Sequence, residues 1–240
     1  MTISRIPAIH PERLQAVFRN FAILLTLAIP LGAQSLDDVF LRLDKAAPGF
    51  KSMAADIQRV VHTAVINDDS TETGTMKIRR QKARETQMLI EFTAPDPKSI
   101  ALADSTVSVY YPKIKTVQIY DVGDKRNLID QFLLLGFGAT SAELREAYEI
   151  APAGSEAIGG QNTSHIQLVP KSKEVLQRLK KADLWISDTS GMPVRQKFLT
   201  SAAGDYMVVT YSNLKHNPAL TDSALKLNYP KGVQIQHPQR

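Results

Sequence analysis

Cysteine is absent from the 240 residues. That excludes disulfides, thiolate metal sites and a lipid attached through a thiol, so an exported domain of this length must rely on its core. Histidine is scarce: the five, at positions 10, 62, 165, 216 and 237, show no metal-ligand spacing, so no metal site is predicted. The sequence has no nucleophile elbow, no glycine-rich phosphate loop and no HExxH motif. Nothing in it points to an enzyme or to a cofactor. No apolar run reaches the roughly 20 residues that a membrane-spanning helix needs. Tryptophan occurs once, at Trp185.

What is present begins with a basic N-terminus. Arg5, Arg13 and Arg19 flank a single acid, Glu12; the apolar run 21–29 follows, and Pro30, Gly32 and Ala33 supply small residues. A basic region, a short apolar region and a small-residue site predict a signal peptide over 1–33, cleaved near Ala33. The mature chain, 34–240, is then expected as one domain in the periplasm. Its net charge falls from +5 to +3 once a leader with three Arg and one Glu is removed. Lys77, Arg79, Arg80, Lys82 and Arg84 cluster within eight positions. Without interleaved aromatics they do not suit nucleic acid. An anionic membrane surface, an acidic protein or simply a solvated strand end would account for them.

A helix opens the mature chain. Ser35 is positioned to cap it, Asp37 and Asp38 suit its positive end, and Leu36, Val39, Phe40 and Leu43 share a face until Pro48-Gly49 stops it. Strands follow in series. Met76, Ile78 and Arg80 alternate with Thr75, Lys77 and Arg79, while Met88, Ile90 and Phe92 alternate with Gln87 and Glu91, Leu89 breaking the polar side. Val107 and Val109 alternate with Ser108 and Tyr110, and Val117 and Ile119 with Gln118 and Tyr120. Period-two patterning of this kind marks an antiparallel sheet with one apolar face. Turns are expected at 67–70, 94–97 and 111–112.

The middle of the chain differs. Residues 128–137 are very apolar without strand alternation, and Thr140-Ser-Ala-Glu143 fits a capping box before a second short helix reaching about Tyr148. Strand patterning then resumes around Gly159-Gly160, over 163–170, 184–187 and 193–200, and over 206–211. About ten strands with one apolar face must close on themselves or be covered, and three short helices cannot cover a flat sheet of that size. The expected fold is therefore mainly β (α+β): a strongly curved, unclosed antiparallel β-barrel with a helical lid over an apolar cavity.

Several ordered segments resemble the periplasmic outer-membrane lipoprotein carrier family, LolA. They run from Leu43-Asp-Lys45 and Ala55-Asp-Ile-Gln58 through Gly74-Thr-Met-Lys-Ile-Arg-Arg80 and Ala103-Asp-Ser-Thr-Val-Ser-Val-Tyr-Tyr-Pro112. Leu168-Val-Pro-Lys171, Leu184-Trp-Ile-Ser-Asp188 with Gly191 and Pro193, and Leu227-Asn-Tyr-Pro-Lys-Gly-Val233 continue the series. The resemblance implies an unclosed barrel with a lid, a carrier and not an enzyme, and cargo in the form of an acylated lipoprotein or lipid. It also implies an inner-membrane lipoprotein-releasing transporter as donor, an outer-membrane acceptor and a monomeric carrier. Arg80 matches the family's basic residue that holds the lid shut; the sequence departs from the family at Gln81 and Arg84, and in residues 132–137, which are the candidate lid helix. A paralogous role, carriage of another lipid or glycolipid, and a lipoprotein-sensing interaction module are the alternatives. The expected cavity lining is Met76, Ile78, Met88, Ile90, Phe92, Val109, Ile119, Phe132 and Leu135, although alternation marks a buried face without saying what fills it.

Overall fold

The computed structural model describes residues 35–82 and 85–238; the expected signal peptide lies outside them. The leading helix, α1 (Leu36–Ala46), is capped as its sequence requires. Ser35 Oγ accepts from the Asp38 amide, and Val39, Phe40 and Leu43 are buried. Twelve strands follow: β1 (Ser52–Thr63), β2 (Asp68–Lys82), β3 (Glu85–Ala94), β4 (Lys98–Ala103), β5 (Thr106–Tyr111), β6 (Thr116–Asp121), β7 (Tyr148–Ile158), β8 (Gln161–Pro170), β9 (Lys181–Ser187), β10 (Pro193–Leu199), β11 (Tyr206–His216) and β12 (Gln234–Gln236). Three further helices are α2 (Arg126–Leu133), α3 (Ser141–Ala147) and α4 (Lys173–Leu176).

All twelve strands belong to one sheet in the order β12-β6-β5-β4-β3-β2-β1-β11-β10-β9-β8-β7, open between β12 and β7. Every pairing is antiparallel except β12 with β6. The fold is thus the unclosed, mainly β sheet expected, with two strands more than the patterning suggested. Strand β1 escaped the period-two reading because its apolar face, Met53, Ala55 and Ile57, gives way to Arg59 on the same face. The first hairpin turn falls at 64–67, and Asp68, Asp69 and Ser70 already pair with β1.

Two apolar clusters line the inner face. One gathers Phe40, Leu43, Leu144, Ile166, Leu168, Leu184 and Phe198 under α1 and α3. The other gathers Met53, Ile57, Met76, Ile78, Met88, Phe92, Leu102 and Val209. The connection 123–139 reaches into both: Leu135 is buried in the first cluster and Phe137 in the second. Its N-terminal end is bonded to β3, where Arg126 donates to the Thr86 carbonyl, and its other end to β10, where Gln196 donates to the Leu135 carbonyl. Four strand spacings separate β3 from β10, about 19 Å in a flat sheet. The curved sheet lets the connection bridge them as a chord.

The outer face carries a third cluster, absent from the expectation. Leu89, Ala101 and Leu225 are buried together, with Leu220 and Leu227 packed against them. This explains the break in β3: Leu89 faces outward and is covered by the C-terminal segment. Arg79 ties that segment down, donating to the Leu220 carbonyl at 2.8 Å, to Gln87 Oε1 at 2.5 Å and to Asp222. The basic cluster therefore divides. Arg79 is spent on the outer face, Lys77 lies 3.5 Å from Glu91, and Arg80 points inward.

The capping box at α3 forms as read. Thr140 Oγ1 accepts from the Glu143 amide at 3.2 Å, and Glu143 Oε2 accepts from the Thr140 amide at 2.8 Å. The hydrogen bond from the Thr140 amide holds the Glu143 carboxyl below its usual range. A depressed acid stabilises the fold above the unfolded carboxylate value and loses that effect as pH falls through the folded value. We expect Thr140→Ala to cost about 1 kcal/mol in urea unfolding at pH 7. We expect the gap between wild type and Glu143→Ala to narrow in acid; a gap that widens there would contradict the assignment.

Candidate lipid-binding face and its lid

The concave face is apolar because of strand parity. In β2 and β3, Ile78 pairs with Met88, Met76 with Ile90 and Gly74 with Phe92, all inward. The pairing continues through Leu102–Val107 and Ile100–Val109. Met76, Ile78, Met88 and Phe92 are buried in this half, Ile90 is packed against it, and Val109 is buried on the same face. Phe132 and Leu135 belong to the covering segment and pack in the other half, where Phe132 meets Phe198 edge-on at 6.3 Å.

Ile119 does not join them. It pairs with Ser108, which pairs with Ala101, and these positions face outward. There Ile119 and Val117 line a recess of about 230 Å³ with Leu225, Leu227 and Tyr229. The correction follows from register. In β6 the inward positions are Gln118 and Tyr120, opposite Val109 and Val107, so alternation found the strand but assigned the wrong face. A larger recess, about 470 Å³, also lies outside, lined by polar groups such as Asp56, Gln58 and Thr75.

The concave face is filled by the chain itself. Within 123–139, the helix is α2, and residues 134–138 form an irregular turn, so the lid helix lies N-terminal to the expected 132–137. Ile129, Leu133, Leu134 and Phe137 cover the β1–β4 half, and Phe137 meets Tyr211 edge-on at 5.3 Å. Gly136 and Gly138, at φ +80° and +66°, let the turn descend so far. A Cβ on Gly138 would lie 2.9 Å from the Phe50 Cβ, and one on Gly136 would lie 2.7 Å from Pro193 Cγ.

A turn buried in an apolar bowl carries carbonyls that need donors. Arg80 supplies two: Nη1 donates to the Gly138 carbonyl at 3.2 Å and Nη2 to that of Phe137 at 3.5 Å, with the guanidinium 5.6 Å from the Phe50 ring. Gln196, 2 % exposed, supplies the third through Nε2 to the Leu135 carbonyl at 2.5 Å. Tyr211 orients Gln196 by donating to its Oε1 at 2.6 Å. Burial pushes the Tyr211 phenol well above its usual value, which keeps it a donor.

The other end of the segment is held at the rim. Arg126 donates to the carbonyls of Asp104 and Thr86 and pairs with buried Asp130 at 3.2 Å. Parity in β2 anticipates an inward Arg80. Gln196, Tyr211 and Arg126 left no comparable signal, because a polar residue inside a strand or helix reads as solvent-facing.

The surrounding chemistry is that of a fastening. No group of three or more potential metal ligands occurs among the described residues, and none of their helices is long and apolar enough to cross a membrane. Removing a fastener leaves a buried carbonyl unpaired, at a cost of about 1–3 kcal/mol. We expect Arg80→Leu and Gln196→Leu each to raise amide exchange of residues 129–137 by roughly tenfold or more while β8 and β9 stay protected. Exchange unchanged in that segment would show that the bonds do not hold it.

Comparisons with known proteins agree with this architecture. The family profile described as outer membrane lipoprotein carrier protein LolA matches residues 49–228. Among solved structures, an uncharacterized conserved protein from Thermus thermophilus is 15% identical, with a TM-score of 0.52, over 85% of this chain and 99% of that one. MucB is 14% identical, with a TM-score of 0.51, over 85% of this chain and 66% of its own. At such identities these two likenesses show the fold alone. Among curated protein sequences, none matches the chain. The profile covers three quarters of the sequence, including every strand from β1 to β11 and the fastened turn, and on that ground the chain belongs to the LolA family of outer membrane lipoprotein carrier proteins.

Proposed function

We propose that the protein is a periplasmic carrier that takes acyl chains onto its concave face when residues 123–139 swing out. In this reading it ferries lipid-modified proteins from the inner to the outer membrane. An inner-membrane lipoprotein-releasing transporter would load it, and an outer-membrane acceptor would unload it. The observation that carries the proposal is the covering segment itself. It fills an apolar bowl with Leu133, Leu134, Leu135 and Phe137 yet is fastened by a few polar side chains.

Physical need supports the reading. At about 0.8 kcal/mol per methylene, one long acyl chain in water costs on the order of 12 kcal/mol. A segment of comparable apolar character can exchange with such a chain at little net change in buried surface. No reacting group is required, which accords with a family of carrier proteins.

Two measurements test this. Protein purified from an envelope fraction without detergent should begin near Gln34 and carry an acyl-bearing mass in native mass spectrometry. Phe92→Asp, which places a charge on the bowl, should abolish that mass while the protein remains folded by circular dichroism. A detergent-free preparation with no lipid, and no binding of an apolar dye by wild type or Arg80→Leu, would refute the carrier reading. A bound glycolipid in place of a lipoprotein acyl chain would keep the carrier and replace its cargo.

A further inference from the structure

The concave face does not stay apolar to its end. Eight residues along β2 from Arg80, about 26 Å toward the first hairpin, the inward position is Glu72. Arg59 lies directly across from it on β1, and Lys98 on β4 reaches it from the far side of Phe92. Glu72 Oε2 accepts from Arg59 Nη2, and Oε1 accepts from Lys98 Nζ at 2.5 Å. Both cations sit over the Phe92 ring, Arg59 at 4.7 Å and Lys98 at 5.2 Å from its centroid.

Two cations thus share one carboxylate where the apolar face ends. Burial alone would raise the Glu72 pKa, but Lys98 and Arg59 together hold it below the usual range, so the trio carries one net positive charge. Asp96, two residues from Lys98, is bonded to Lys113 and also feels the charge of Lys98. The side chains are 25 % (Arg59), 22 % (Lys98) and 11 % (Glu72) exposed, open enough to be reached and sheltered enough for charge to count. Among the described residues, the side chains of Arg59 and Lys98 donate hydrogen bonds only to Glu72, and Arg59 Nε is buried with no partner. A cluster built only to neutralise Glu72 would need one cation, not two.

We propose that Arg59 and Lys98, backed by Phe92, form a subsite for the anionic head, a carboxylate or phosphate, of an acyl-bearing ligand. Its chain would run along Ile57, Met76 and Ile90 toward the fastened turn. The proposal rests on the reading that the concave face takes acyl chains, and it adds the chemistry at the chain's polar end. Glu72 then acts as a mobile counter-ion that the ligand anion partly replaces.

The test is calorimetric titration of the full mature chain with dodecanoate, dodecyl phosphate and neutral monododecanoylglycerol, each below its micelle concentration. Wild type should bind the two anions about tenfold more tightly than the neutral ester, and Lys98→Gln should remove most of that preference. Arg59→Gln should do the same, with thermal melting confirming that each variant is folded.

Glu72→Gln makes the decisive prediction, because it raises the local charge. Anion binding should strengthen severalfold with neutral binding unchanged, an outcome that damage to the fold would not produce. The difference between dodecanoate and dodecyl phosphate identifies which head is favoured. Equal affinity for anionic and neutral amphiphiles, or weakened anion binding in Glu72→Gln, would overturn the subsite and leave the carrier reading intact. Failure of all three amphiphiles to bind would overturn both.

Discussion

The carbonyls of Leu135, Phe137 and Gly138 set the terms for the rest of this structure. They sit inside an apolar bowl, where an unpaired carbonyl is costly, and they are satisfied by side chains that reach in from the sheet. A sheet that closed on itself would need no such segment. A sheet that stayed flat would expose its apolar face. The unclosed, curved sheet leaves a gap that only a connection of the chain can fill, and the filling must bring its own backbone polarity inside. Arg80 and Gln196 are the answer to that problem, one from each half of the sheet.

This arrangement separates two kinds of stability. The sheet is held by a continuous ladder from β12 to β7 and by apolar clusters on both faces that bury large side chains. The covering segment contributes apolar contacts that an acyl chain could replace, and polar contacts that it could not. Opening therefore has a cost concentrated in a few hydrogen bonds, while the apolar loss is recovered when a chain enters. Such a division suits a protein that must hold its cargo without reacting with it and then let it go.

Much of the architecture was legible in the residues. Alternation in 76–80, 88–92 and 107–110 gave real strands with their faces assigned, and parity alone turned Arg80 inward. Thr140 and Glu143 announced the start of α3. Ile119 was misplaced because two apolar residues in β6 face a groove roofed by Leu225, Leu227 and Tyr229, more than a hundred residues away, and local patterning carries no signal of such a cover. The same cover accounts for Leu89. Gln196 and the Arg59–Glu72–Lys98 trio escaped notice for the opposite reason: polar side chains on an inward face contradict the pattern, and only pairing partners give them sense.

Exchange between the covering segment and an acyl chain is the central claim, and it can be followed by watching the segment while a chain binds. Amide exchange of residues 129–137 would be measured in the mature protein alone and with saturating dodecanoate, binding being verified by calorimetry. If the chain takes the segment's place, bound dodecanoate raises exchange in 129–137 by roughly tenfold or more while β8 and β9 stay protected. Unchanged or lowered exchange in that segment with dodecanoate bound would show that acyl chains do not enter beneath it, and would contradict the displacement.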